Sequence, residues 1–332
     1  MSPAICVGAV ILNWNRSADT IRAVRSLTRL ATPRLAIVVV DNGSQPDDLA
    51  ALRAGCDGAF VIANGANHGF ARAVNIGARA AFEAGADHIL LLNNDAYFEP
   101  GTPALAMCVA ALEADPTLGA VGPTIVDDDL QRTIQSAGMR FTAAFPVPIG
   151  LGRGRVYDPA ATYGRPTYLM GSCLLVRGRT FVDVGGLDAD YFFFGEDIQL
   201  SLAIRARGQH EAVLGDTYIV HRKSSSVREG SWRYAYTAIR ANLLFLKKNA
   251  RWYDWPTAAP CMFAISLALC VRSATSWGGA GPVPVLRAWQ HSLQGRYGGF
   301  DGTWPDRYET IDFKDVWKRS GGDARARAKM AG

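Results

Sequence analysis

The sequence predicts an α/β chain: a doubly wound, mostly parallel sheet followed by a C-terminal helical extension. Three apolar runs, Ala4 to Leu12, Ala36 to Val40 and His88 to Leu92, stop abruptly at Asn13, Asp41 and Asn93. Such unbroken runs mark strands buried on both faces. Between them lie stripes at helical spacing, Ile21, Val24, Leu27 and Leu30 in one segment and Val74, Ile76, Ala80 and Ala81 in another, so strand and helix alternate.

Ala4 to Leu12 has no basic residues before it, is too short to span a bilayer and leads into Asn13-Trp14-Asn15-Arg16 rather than a small-residue cleavage site, so it reads as a buried first strand. Ser17 to Leu30 and Phe70 to Ala84 read as helices. Gly119 to Ile125 and Tyr168 to Val176 read as further strands, with Gly/Pro/Arg-rich loops from Ala143 to Gly164 between them. Helical spacing returns at Gln199 to Arg207 and at Arg233 to Lys248. Ala258 to Val271 is apolar but short of a span, with Pro260 and Ser266 inside it. The charged, Gly/Ala-rich tail from Lys318 reads as disordered. The domains expected are an α/β unit over 1–230, a helical extension over 231–317 and a tail over 318–332.

The 332 residues are 49% hydrophobic and 20% charged, an ordinary globular composition. A net charge of +5 is too small an excess to indicate nucleic acid, and leaves phosphorylated substrates or anionic lipid open. The six cysteines have no CxxC spacing and mostly lie in apolar stretches, as reduced core residues of a cytoplasmic protein do.

Ligands of doubly wound sheets bind beyond the carboxyl ends of the strands, which gathers Asn13, Asp41 and Asn93-Asn94-Asp95 around one crevice. An acidic residue just past a central strand is placed to hold a hard divalent cation whose other ligands come from a pyrophosphate; an Asx turn explains the same residues. Asp41 fits a contact to a base or ribose, or a turn cap in Asp41-Asn42-Gly43-Ser44. Gly69 opens a helix carrying Arg72 one turn in, which suits an anion or a tight helix entry. In Gly195-Glu196-Asp197 a carboxylate at a helix start can act as a general base, or simply form an acidic first turn. His221, followed by Arg222-Lys223-Ser224-Ser225-Ser226, suits a metal or diphosphate contact, or a structural role. Cys173 reads as a strand residue with no partner base. Gly150-x-Gly152-x-Gly154 fails as a dinucleotide fingerprint because no strand precedes it and no helix follows.

Taken in order, Asn13-Trp14-Asn15, Val39 to Ser44, Asn67-x-Gly69-Phe70, Asn93-Asn94-Asp95, Gly171-Ser172, Gly185-Gly186-Leu187-Asp188, Gly195-Glu196-Asp197 and His221 resemble the inverting family 2 glycosyltransferases, in particular their rhamnosyltransferase-like branch, over about residues 4 to 250. The resemblance implies a GT-A nucleotide-binding fold and a sugar-nucleotide donor, UDP- or dTDP-linked and perhaps dTDP-rhamnose. Asp41 would meet the base, and Asn67 and Gly69 would line its pocket. Asn93 and Asn94 would stand at the DXD position, with Asn13, Asn15, Arg72 and Gly171 among the donor-binding residues. Asp95 and His221 would hold Mg²⁺ or Mn²⁺, with Asn in place of the first carboxylate weakening the ion's hold. Asp197 would be the base, with Glu196 beside it, in a single displacement onto a hydroxyl of a glycan or lipid-linked acceptor.

The C-terminal third mixes aromatics and cations, Arg251-Trp252-Tyr253-Asp254-Trp255, Arg272, Trp277, Arg287 and Trp289, around an apolar stretch, as at a membrane interface; a packed extension or dimer contact is the competing reading. Peripheral attachment at the inner face of the plasma membrane is the expectation. The rival functions are a sugar nucleotidyltransferase, which would carry a Gly-rich basic loop after the first strand, and a non-catalytic nucleotide- or sugar-binding protein, which would have lost Asp95 or Asp197.

Overall fold

In the computed structural model the described residues are 5–31, 33–223, 231–276, 282–305 and 308–330. Ser224 to Ser226 and Trp277 lie outside them. The chain runs β1 (Cys6–Asn13), α1 (Ser17–Thr28), β2 (Arg34–Asp41), α2 (Pro46–Gly55), β3 (Ala59–Ala63), α3 (Phe70–Glu83), β4 (His88–Leu92), β5 (Ala96–Tyr97), α4 (Ala104–Ala114) and β6 (Leu118–Asp127). It continues through the short β7 (Ile134–Ser136), β8 (Met139–Arg140) and β9 (Ile149–Gly150), then β10 (Cys173–Arg177), α5 (Gly178–Val184), α6 (Glu196–Ala206) and β11 (His210–His221). The helices α7 (Trp232–Asn249), α8 (Trp255–Ser276), α9 (Val283–Leu293), α10 (Phe313–Arg319) and α11 (Gly322–Met330) complete it.

The central sheet has the order β3-β2-β1-β4-β10-β6-β11-β5. β1 pairs in parallel with β2 and β4, and β2 with β3. The order reverses between β1 and β4, so the crevice opens beyond Asn13 and Leu92, as the sequence predicts. β10 alone runs backwards between the parallel β4 and β6, which brings its first residue, Cys173, opposite Leu92 at the end of β4. Alternate side chains feed two cores. Val7, Ala9 and Ile11 face α1, α2 and α4, while Val10, Ile89 and Leu91 face α3, α5 and α10.

Several elements depart from the sequence reading. α2 buries only Leu52, and so has no stripe to read. β11 is not read from the sequence, because its first half is only partly buried. The tail expected to be disordered from Lys318 is helical over most of its described residues, in the end of α10 and in α11: Arg325 donates to Asp87 at 3.1 Å and to the Ala86 carbonyl at 3.1 Å, while Trp317 just before it packs edge-on against Phe82 at 5.3 Å. This tail therefore returns to the central sheet rather than leaving it. The apolar stretch read as short of a span is part of the 22-residue α8, which continues through Pro260. The span Trp252–Arg272 is long and apolar enough, by length and composition, to cross a membrane.

Candidate active site

The loop after β1 is closed from within. Fully buried Asn13 donates through Nδ2 to Asp41 Oδ1 at 3.0 Å, Ser44 Oγ at 3.1 Å and Asp48 Oδ2 at 2.8 Å, and its Oδ1 accepts from Thr20 Oγ1 at 2.7 Å. Asp41 is 1% exposed and spends its other oxygen on the Ser44 amide at 3.2 Å. Asn15, with left-handed φ of 54°, accepts from the Gln45 amide at 2.8 Å. These three expected donor contacts thus frame the crevice, with Asn13 and Asp41 buried in the frame and Asn15 exposed at its rim. Asp48 is part of the same frame and was not singled out from sequence, because nothing local ties it to Asn13.

Asn42, also missed, knits the ends of β2 and β3 to the start of α3. It donates to Asn67 Oδ1 at 3.0 Å and Gly69 O at 3.2 Å, and accepts from Asn64 Nδ2 at 3.2 Å and the His68 amide at 3.0 Å. Gly69 caps α3 at φ 76°, and a Cβ there would sit 2.6 Å from the Phe192 carbonyl, so only glycine permits this close approach. Arg72 is packed into an aromatic stack. Its Nε donates to Ala189 O at 3.1 Å, and its guanidinium stacks on Trp304 at 3.4 Å and Tyr308 at 4.6 Å. Those rings belong to a C-terminal arm that also sets Phe300 against Trp14 and Phe192, at 6.2 and 5.8 Å. Buried Arg240 anchors the arm, donating to the carbonyls of Gly298 and Gly299 and to Tyr236 Oη.

Beyond β4, Asn93 donates its amide to Ser172 O at 3.0 Å, and Asn94 donates to Thr20 Oγ1 at 3.2 Å. Asp95 and His221, 126 positions apart in sequence, meet with Oδ1 and Nε2 3.0 Å apart. The sheet does this: β5 pairs with the end of β11, setting Ala96 opposite His221. His221 Nδ1 is held by Gln135 Oε1 at 2.8 Å, which fixes the ring with Nε2 toward Asp95. A hydrogen-bonded imidazole and a carboxylate sharing one point fit a divalent cation completed by substrate oxygens. Among the described residues no third His, Cys, Asp or Glu joins them.

The carboxylate pair starts α6, after two left-handed residues, Phe194 at φ 70° and Gly195 at φ 89°. A non-glycine residue in that region is strained, and such strain collects at sites that must aim a group. Asp197 accepts from the Gly171 amide at 3.2 Å and the Ile198 amide at 2.8 Å. Glu196 Oε2 is buried without a partner. Burial raises the pKa of both. Backbone donors offset this at Asp197, whereas the charge of Asp197 adds to it at Glu196, so Asp197 ionises first. Tyr168, overlooked in the sequence, is buried nearby; burial and then the charges of Asp197 and Glu196 push its phenol far up, so it stays protonated.

One crevice therefore holds a cation-competent pair at the end of β4, two buried carboxyls at the entry to β10, and a polar pocket at the ends of β2 and β3. Among the described residues the three buried side-chain atoms without a hydrogen-bond partner are His68 Nδ1, Ser172 Oγ and Glu196 Oε2. His68 lies in the β2–β3 pocket, and Ser172 and Glu196 adjoin Gly171 and Asp197.

Residues 9–170 match the model of glycosyl transferase family 2. The chain is 27% identical to the N-acetylglucosaminyl-diphospho-decaprenol L-rhamnosyltransferase of Mycobacterium tuberculosis, over 74% of this chain and 84% of that one. It is 30% identical to an uncharacterised protein of Mycobacterium bovis, over 60% of this chain and 70% of that one. Among solved structures it resembles a mannosyltransferase from Pyrobaculum calidifontis in complex with GDP-Man and Mn²⁺, with TM-score 0.53, 18% identity, and 98% and 86% of the two chains covered.

Proposed function

Because this chain belongs to glycosyltransferase family 2, we propose that it moves a sugar from a nucleoside diphosphate donor to a hydroxyl of a glycan or lipid-linked acceptor, with inversion, in polysaccharide biosynthesis. The observation that carries the reading is the separation of roles across β4. Asp197 is fastened to Gly171 at the entry to β10, on one flank of β4, while the polar pocket closed by Asn13, Asp41, Asn42 and Asn67 lies on the other.

A single displacement needs that separation, with nucleophile and leaving group on opposite sides of the anomeric carbon. Asp197 removes the proton from the acceptor hydroxyl, and its two backbone donors keep it ionised in spite of burial. Glu196 keeps its proton longer and orients the acceptor. Asn93, Asn94, Asn67, Gly69 and Gly171 line the donor's path, while Asn13, Asn15 and Asp41 hold its walls. Arg72 supports the wall through its aromatic stack. Asp95 and His221 would hold Mg²⁺ or Mn²⁺, which when bound offsets charge on the departing diphosphate. UDP- and dTDP-sugars, with dTDP-rhamnose among them, are the donors proposed; the rhamnosyltransferase similarity supports the last.

We also propose that the acceptor is met at the cytoplasmic surface of a membrane. α8 exposes Phe263 (69%), Leu267 (56%) and Val271 (57%), spaced four residues apart on one face, with Trp252, Leu286 and Leu293 exposed nearby. Arg251, Arg272 and Arg287 frame this surface with positive charge suited to anionic headgroups.

The test is thermal stabilisation by UDP, dTDP, GDP and CDP, each with and without Mn²⁺. A nucleotide at a hundred times its dissociation constant adds about 2.7 kcal/mol. A metal-enhanced shift followed by an inverted anomeric product in NMR supports the reading; no shift with any nucleotide overturns it.

A further inference from the structure

Most polar side-chain atoms at the ends of β2 and β3 are engaged with one another, and one buried atom among them has no partner. Both oxygens of Asp41 are engaged, by Asn13 and Ser44. The Asn42 side chain makes four hydrogen bonds. Asn67 Oδ1 accepts from Asn42 and from the Gly69 amide at 2.9 Å. Beside them His68 is 6% exposed and its Nδ1 has no partner. The ring of Tyr308 lies 6.5 Å away centre to centre and makes no hydrogen bond to that nitrogen.

The state of the imidazole follows from its surroundings. The backbone of Asn64 lies beside the ring as an acceptor, and with Nδ1 unpartnered this favours the tautomer that carries its hydrogen on Nε2. Burial, and after it the charge of Arg72, keeps the ring neutral by lowering its pKa. With the hydrogen on Nε2, Nδ1 is an acceptor that no group among the described residues serves, a costly state for a buried atom. What fills the pocket must bring a hydrogen.

Topology says which part of the donor arrives there. With the base at the entry to β10 and the cation-competent pair past β4, the leaving nucleoside extends the other way, over β1, β2 and β3. We propose that His68 reads the nucleobase of the sugar nucleotide, its Nδ1 accepting a hydrogen bond from a ring N–H. Uracil and thymine carry such a group at N3 and guanine at N1, whereas the ring nitrogen of cytosine there is bare. His68 in this way selects imide- or lactam-bearing donors over CDP-linked ones. The inference rests on the glycosyltransferase reading and deepens it.

Calorimetric titration of the full chain with UDP, dTDP, GDP and CDP in the presence of Mn²⁺ tests it, using wild type, His68→Phe and His68→Gln. Phe keeps a ring but removes the acceptor, and should weaken UDP or dTDP binding about ten-fold or more with CDP little changed. Gln, whose amide oxygen accepts, should recover part of the loss. Preference for GDP over both pyrimidine nucleotides would assign the lactam instead of the imide. Equal weakening of UDP and CDP would mean that His68 merely supports the fold, and unchanged UDP affinity in His68→Phe would overturn the assignment, both with the glycosyltransferase reading intact. Failure of the wild type to bind any nucleotide would overturn both. Melting temperatures of the variants, measured alongside, separate lost selectivity from lost structure.

Discussion

Asp197→Asn replaces the proposed base with an isosteric group, and its effects on activity and stability have opposite signs. Removing a general base costs about 10²- to 10⁴-fold in turnover, while donor affinity should be nearly unchanged because Asp197 lies across β4 from the nucleotide pocket. The structure also fixes the stability change. The carboxylate serves two backbone amides, Gly171 and Ile198, and an amide has one oxygen, so one of these bonds is lost at about 1 kcal/mol; the 2.8 Å bond to Ile198 is the one retained. Against this, the wild type buries two adjacent carboxyls whose folded-state pKa values are raised. The folded chain holds protons that the unfolded chain has released, so this contribution is full below the unfolded value of 3.8 for Asp197 and is lost as pH rises through the raised folded values. Asp197→Asn escapes that loss. It should melt slightly below wild type near pH 4 and above it at pH 8. Scanning calorimetry at the two pH values, paired with transfer assays, decides the matter: a melting difference that does not change with pH would refute the buried, coupled pair, and retained turnover would refute Asp197 as base. In the wild type the acid limb of kcat/KM should lie above the ordinary aspartate range for the same reason.

Asp95→Ala and His221→Ala should each reduce the gain in nucleotide affinity produced by Mn²⁺ while leaving metal-free affinity close to wild type; titration with and without the ion checks this, and an undiminished gain would remove them as ligands. Arg240→Met leaves the carbonyls of Gly298 and Gly299 without their donor and should destabilise the chain by about 3 kcal/mol in urea, with faster proteolysis near the arm. The double change Phe263→Glu with Leu267→Glu, on the exposed face of α8, should alter stability by less than about 0.5 kcal/mol per site yet abolish co-sedimentation with anionic vesicles. Vesicle binding that survives the double change, or a dimer that it dissociates, would move the apolar face from lipid to self-association.

The parallel half of the sheet was legible because strands buried on both faces show as unbroken runs, and their ends named Asp41 and Asn93 to Asp95 directly. β3 escaped notice since it is half-exposed, with Phe60 facing out. The site was readable as a set of chemical types but not as a set of partners. Asn13 and Asn15 look like ligand contacts by type, yet their hydrogen bonds go to Ser44, Asp48 and Gln45, neighbours that only the closed loop supplies. Arg72 meets Trp304 and Tyr308 from more than two hundred residues downstream, a pairing no local pattern announces. Gln135, which orients His221 from 86 positions away, carries no local signal at all. His68 was passed over for a related reason: an unpartnered atom is a property of the finished arrangement, and no spacing rule announces it.

The reversed strand β10 also sets a length. Its register against β4 pairs Cys173 with Leu92, so the distance from the proposed base to the metal pair is counted off in ladder steps of about 3.3 Å and is indifferent to how long the preceding loop grows. Insertions between Ala143 and Gly164 can reshape what the enzyme accepts without moving the reacting groups apart. A one-residue slip of β10, by contrast, would turn Leu174 and Val176 out of one core and into the other, so the sheet itself guards the gauge between donor and acceptor.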